Sequence, residues 1–141
     1  MLPFEVHILG CSSATPTSNR FPTAQIVKHH DKSFLVDCGE GTQMQIRRYK
    51  HRMNRMDQVF ISHLHGDHYF GLIGLLSSFH LLGRTKDLQL FGPPELMDIL
   101  VQQFRASKTY LRYHIDFTPT QTEGPLKIWE DNGLEVYSFP L

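Results

Sequence analysis

Apolar and polar positions along the chain change period several times, and each change predicts an element. Residues 4–8, Phe-Glu-Val-His-Ile, alternate, which predicts a half-buried first strand closed by Leu9-Gly10. Residues 11–17 hold only Cys, Ser, Ala, Thr and Pro and predict a turn. Residues 23–27 and 33–36 predict two strands joined through 28–32 as a hairpin, with His29 and His30 as solvated turn residues. Residues 37–43, Asp-Cys-Gly-Glu-Gly-Thr-Gln, then open a helix, the glycines giving the tight turn and the acidic residues favouring a helix N-terminus. Helix and loop continue to Arg55, and Val59-Phe60-Ile61-Ser62 predicts a short buried strand. Leu72, Ile73, Leu75, Leu76 and Phe79 fall at helical spacing before a stop at Gly83, with His80 as a C-terminal charge or core residue. Residues 88–91 predict a strand, and Gly92-Pro93-Pro94 turns into a helix whose Met97, Leu100, Val101 and Phe104 form a core face. Residues 110–117, 126–130 and 134–139 predict strands, the last two joined by an Asn132-Gly133 hairpin turn. No repeat, linker or low-complexity segment interrupts this order, so residues 1–141 are expected to form one folding unit.

Composition narrows the class without naming a chemistry. With 40% hydrophobic and 20% charged residues the chain matches an ordinary globular domain, so disorder is not expected. Lys+Arg and Asp+Glu are 14 each, so any nucleic-acid binding has to be local. Arg47, Arg48, Lys50, His51, Arg52 and Arg55 form the one dense positive run, readable as a solvated face or as a phosphate-contacting patch. The start, Met-Leu-Pro-Phe-Glu, lacks the pattern of a signal peptide, and no apolar run approaches the roughly 20 residues that span a bilayer, so a cytoplasmic protein with no membrane partner is expected. Cys11 and Cys38 belong to no C-x-x-C and are expected to be small buried thiols.

The candidate chemistry lies in His63-Leu64-His65-Gly66-Asp67-His68, between a predicted strand and a predicted helix. Three imidazoles and a carboxylate in six residues suit Zn²⁺, which takes His nitrogen and Asp oxygen and keeps an open position when it is catalytic. His63 and His65, two apart in an extended segment, project to one side and can share an ion; Asp67 and His68, past a turn at Gly66, can reach a second. A polar surface cluster that binds nothing would leave the abrupt switch from strand to four candidate ligands unexplained. Asp37, a carboxylate at the buried end of a strand, needs a partner, and accepting the free N–H of a metal-bound imidazole would supply one.

His-x-His-x-Asp-His after a strand resembles the signature of the metallo-β-lactamase superfamily, and residues 60–72 together with 37–43 resemble the ribonuclease Z family within it. The resemblance implies an α/β fold, a metallo-β-lactamase-like four-layer sandwich with two sheets face to face and helices outside each. This chain would supply its N-terminal half, a mixed β-sheet with flanking helices. It implies a zinc-dependent endoribonuclease that removes the 3′ trailer from precursor tRNA, with two zinc ions in the complete site and Asp67 as proton acceptor. The family's remaining ligands and its tRNA-gripping arm lie C-terminal to the strand that resembles residues 136–141, and His114 is a poor substitute for them. The chain is therefore expected to be inactive by itself, with a partial or empty site. A homodimer is the expected assembly. The competing expectations are a non-enzymatic fragment that associates and binds at most one metal, and another hydrolase of the same fold.

Overall fold

A computed structural model describes residues 4–120 and 123–140. Leu141, two residues past the last predicted strand, and Met1 to Pro3 lie outside the described residues. The main body is one six-stranded sheet in the order β1 (Phe4–Gly10), β2 (Ala24–His29), β3 (Lys32–Val36), β4 (Met56–Phe60), β5 (Leu88–Gly92) and β6 (Ile115–Pro119). The first three strands are antiparallel neighbours and the next three pairings are parallel. The change follows from the connections. A tight turn at His30-Asp31 can only reverse the chain, whereas α1 (Thr42–Arg48), α3 (Leu72–Leu81) and α4 (Glu95–Ala106) carry the crossovers that parallel strands require.

Register sorts the side chains into two faces. Ile26, Leu35, Val59 and Leu90 point to one face and meet Ile46 of α1, Leu72, Leu75, Leu76 and Phe79 of α3, and Leu96 and Leu100 of α4 in the main core. Burying a Leu or Phe side chain contributes about 1.5–3 kcal/mol, so this helix-covered face is the main source of stability. Phe34, Phe60 and Phe91 point to the other face and pack beneath the hairpin of β7 (Leu126–Asp131) and β8 (Leu134–Ser138) through Ile128, Trp129, Leu134 and Val136. The Phe60 and Phe91 rings stack with centroids 4.6 Å apart. The Asn132-Gly133 turn is as expected, with φ of 47° and 81° in the left-handed region.

Several predicted details change. The strand before the histidines is Met56–Phe60 rather than 59–62, so Ile61 and Ser62 already belong to the loop. The first strand is present, but its alternation is reversed in meaning: Phe4, Val6 and Ile8 are more than half exposed because the hairpin covers only the middle of that face. Residues 110–114 are not strand; β6 begins at Ile115, where pairing with Leu88 becomes available, and His114 lies exposed before it. Val101 faces outward, and Leu96 takes the core position on α4. His29 is a half-buried residue of β2 rather than a solvated turn residue, its ring against Phe4 and His30. Cys38 is buried as expected, and its thiol is pushed up to about 12 by burial, while Cys11 is exposed.

Candidate metal centre

The six residues 63–68 leave the C-terminal end of β4, run extended through His65, and enter the single-turn helix α2 (Gly66–Tyr69). Gly66 does not take a left-handed turn; a Cβ on it would stand 2.1 Å from the exposed Phe70 ring, which would have to swing aside. The neighbouring strand end, residues 37–39, is clamped onto this helix. Cys38 N–H donates to His68 O at 2.7 Å, and Gly71 N–H donates to Cys38 O at 3.0 Å. A Cβ on Gly71 would fall 2.1 Å from Gly39 O, and one on Gly39 would fall 2.4 Å from Asp67 O. The glycines of both segments thus let two backbones touch, which fixes the loop's position against Asp37. The predicted acidic N-terminus of α1 is not formed, since its first turn carries no acid, its cap is Gly41 at φ 82°, and Glu40 is exposed.

Asp37 is 5% exposed and adopts φ 59°, a left-handed conformation a non-glycine residue takes at a cost. The cost is offset by three acceptor contacts. Oδ1 accepts Ser62 N–H at 2.8 Å, and Oδ2 accepts Ser62 Oγ–H at 3.0 Å and the His68 Nδ1–H at 2.7 Å. Ser62 Oγ also lies 3.2 Å from His63 Nδ1 and 3.1 Å from His68 Nδ1. A carboxylate only accepts, so His68 carries a proton on Nδ1, directed at Asp37 Oδ2 with Ser62 Oγ beside it. Ser62 is a functional residue that the expected strand over 59–62 hides, and its one signal in the sequence is a hydroxyl directly before the first histidine.

The four candidate ligands lie together. The His63 ring centroid is 3.8 Å from that of His68 and 4.9 Å from that of His65, and His68 Nε2 is 3.5 Å from Asp67 Oδ2. Burial, with His68 and His65 beside it, holds the His63 imidazole below its ordinary value, so near neutrality it is in the uncharged form that ligates metal. Among the described residues no three His, Cys, Asp or Glu side chains are arranged to hold one ion. In kind, however, the donors fit a zinc-type cation. His68 Nε2 and the Asp67 carboxylate face one another at 3.5 Å, as two donors to one cation would.

A family model described as anti-Pycsar protein Apyc1 matches residues 4–119. The chain belongs to this family. Ribonuclease Z of Bacteroides thetaiotaomicron is 45% identical over 141 residues, the whole of this chain and 45% of that protein, and ribonuclease Z of Porphyromonas gingivalis is 40% identical over 46% of its length. The expected kinship with ribonuclease Z thus holds from end to end, and the chain spans about half the length of the curated relatives it matches. Among solved structures, human tRNase Z, short form, superposes with a TM-score of 0.83 at 29% identity over 95% of this chain and 59% of its own. The metallo-β-lactamase fold protein YhfI of Bacillus subtilis, at 24% identity, covers 96% of this chain and 57% of its own with a TM-score of 0.64. The fold is therefore metallo-β-lactamase-like: a mixed sheet with flanking helices, about half the length of those relatives.

Proposed function

We propose that the family member is a zinc-dependent endoribonuclease that removes the 3′ trailer from precursor tRNA, and that His63, His65, Asp67 and His68 are its ligands from this part of the chain. The observation that carries the reading is 45% identity to ribonuclease Z along the whole chain. The geometry supports it, since Asp37 and Ser62 meet His68 and His63 on the Nδ1 side of each ring. When bound, zinc would supply Lewis-acid polarisation of the phosphodiester and a water of lowered pKa. The chain's own residues orient and accept. Asp37 locks His68 through Nδ1, Ser62 ties His63 to the same carboxylate, and Asp67 is the proton acceptor.

Four ligands on one loop do not make a two-ion site, so the chain by itself is expected to show little or no turnover. The test is cleavage of a 3′-extended precursor tRNA with zinc, by this chain and by the chain continued through the second half of a relative. Cleavage only by the longer protein, abolished by Asp67→Ala, is the expected result; turnover by the short chain would overturn the incomplete-site argument. A parallel assay on a simple phosphodiester separates this reading from its alternative, another hydrolase of the same fold. Exposed Phe4, Val6 and Ile8 on β1 support a homodimer, which light scattering at micromolar concentration checks against a monomer. No helix among the described residues is long and apolar enough to cross a membrane, and a cytoplasmic setting is proposed.

A further inference from the structure

A cleft of about 640 Å³ runs beside the edge strand β1 from Leu9 down to the end of β3 and β4 opposite the histidines. Its cationic floor lies by Ser33 and Met56, near the starts of those strands, so the strand rise separates that part from residues 62–68 by on the order of 15 Å. Its walls are the edge strand β1, the turn between β2 and β3, and the chain that follows α1. Lys28, Lys50, Arg52 and Arg55 line it against one carboxylate, Asp31. None of these four cations makes a side-chain ion pair or hydrogen bond among the described residues; exposed cations elsewhere, such as Arg47 and Arg105, share this, but here four of them line one concavity. The structure thus divides the basic run of the sequence. Arg47 and Arg48 are exposed in the last turn of α1, where the helix dipole favours them, and the later members turn into the cleft.

A further feature of the lining points to a ligand. Tyr49 and His51 also line the cleft, Tyr49 more than half exposed, and they offer flat aromatic surface beside the cations. Cations that converge on a concavity raise one another's energy, and a bound anion relieves this. The volume suits a small ligand, and a phosphate with an attached base would use both kinds of wall.

We propose that this cleft is a binding site for a nucleoside monophosphate, its phosphate held by Lys28, Lys50, Arg52 and Arg55 and its base laid against Tyr49 or His51. The site is separate from the histidine loop and does not depend on the function proposed for that loop. It is tested with the chain in chelator at low salt, so that no metal ion can bridge a phosphate, by titrating AMP, UMP, adenosine and inorganic phosphate with amide chemical shifts as the readout. Both nucleotides should bind more tightly than inorganic phosphate, adenosine should not bind, and the shifts should cluster at residues 28–31 and 49–56. Lys50→Ala with Arg55→Ala, both exposed positions, should weaken nucleotide binding at least tenfold with an unchanged melting temperature, and Tyr49→Ala should reduce only the advantage of nucleotide over phosphate. The proposal is overturned if neither nucleotide binds, if the shifts gather at residues 62–68, or if phosphate binds as well as the nucleotides. Binding by an RNA oligonucleotide without binding by either monophosphate also overturns it, in favour of a backbone-tracking surface.

Discussion

Asp37 and Asp57 are acids at opposite ends of neighbouring parallel strands, and their surroundings differ in kind. Asp37, just past β3, is satisfied by a backbone N–H, a hydroxyl and an imidazole, all from the loop that carries the candidate ligands. Asp57, in β4, is satisfied by Arg84 at 2.8 Å and by Lys86. The Arg84 guanidinium is itself buried, donates to the carbonyls of Met56, Lys86 and Asp87, and lies over the rings of Phe79 and Tyr113. A full counter-charge with four of its five N–H groups engaged makes a rigid joint with little left to offer. Polar partners that retain a free lone pair make a support whose product is the orientation of something else. The difference teaches that the same side chain can close a joint of the fold, as Asp57 does, or orient candidate ligands, as Asp37 does.

The largest expected effect breaks the structural end. Arg84→Ala leaves Asp57 without its buried partner and removes a donor from three carbonyls, and should cost about 3 kcal/mol, read as a lower denaturant midpoint. Zinc binding at the other end should not change beyond the loss of folded protein. Equal losses of stability and of zinc affinity would mean that the two ends are not independent.

Next is the contact that seats the histidine loop. Gly71→Ala drives a Cβ into backbone at Gly39 O, where no side chain can swing away, and should cost about 2 kcal/mol. Amide exchange is expected to rise at residues 37–39 and 66–71 and not around Arg84.

Asp37→Asn keeps the shape and removes the charge. Its stability cost should be only about 1 kcal/mol, because one amide oxygen still accepts, while zinc affinity measured by chelator competition should fall roughly 10–100-fold. If affinity is unchanged, Asp37 is a turn-holding residue only, and the contrast with Asp57 disappears.

This contrast was only half legible in the sequence. Asp37 could be singled out because an acid directly after an apolar strand must be satisfied, and the loop at residues 63–68 announced itself by residue type and spacing. Arg84 and Asp57 could not, since their contact joins segments distant in sequence and neither residue departs from an ordinary surface pattern. The same limit explains the misread elements. Alternation in residues 4–8 specifies a strand but not which face is covered, and the hairpin that decides this comes from the far end of the chain. Residues 110–114 have strand-forming types, yet Tyr110 is 83% exposed with no ladder partner, and propensity without pairing makes no strand. The charged run after Gln43 gave no sign of which of its members would face a cleft, because that depends on where the turn between β2 and β3 places Lys28.

The smallest expected effect separates the two cations at Asp57. Burial would raise this carboxyl, but hydrogen bonds from Lys86 and Arg84 outweigh it and hold it below the ordinary carboxylate range. A lowered folded value means that the pairing stabilises the protein above the unfolded value of about 4 and that this contribution is lost as pH falls through the folded value. Lys86 is 69% exposed and its attraction is screened by water, whereas Arg84 is 2% exposed, so the geometry assigns most of the stabilisation to Arg84. Lys86→Ala should therefore cost no more than about 0.5 kcal/mol at neutral pH, with the difference shrinking in high salt. In a carboxyl-carbon NMR titration the Asp57 midpoint should move up in this variant yet stay below the ordinary range, because Arg84 remains. A midpoint that returns fully to the ordinary range would show that the exposed lysine, and not the buried arginine, holds the charge at this end of the sheet.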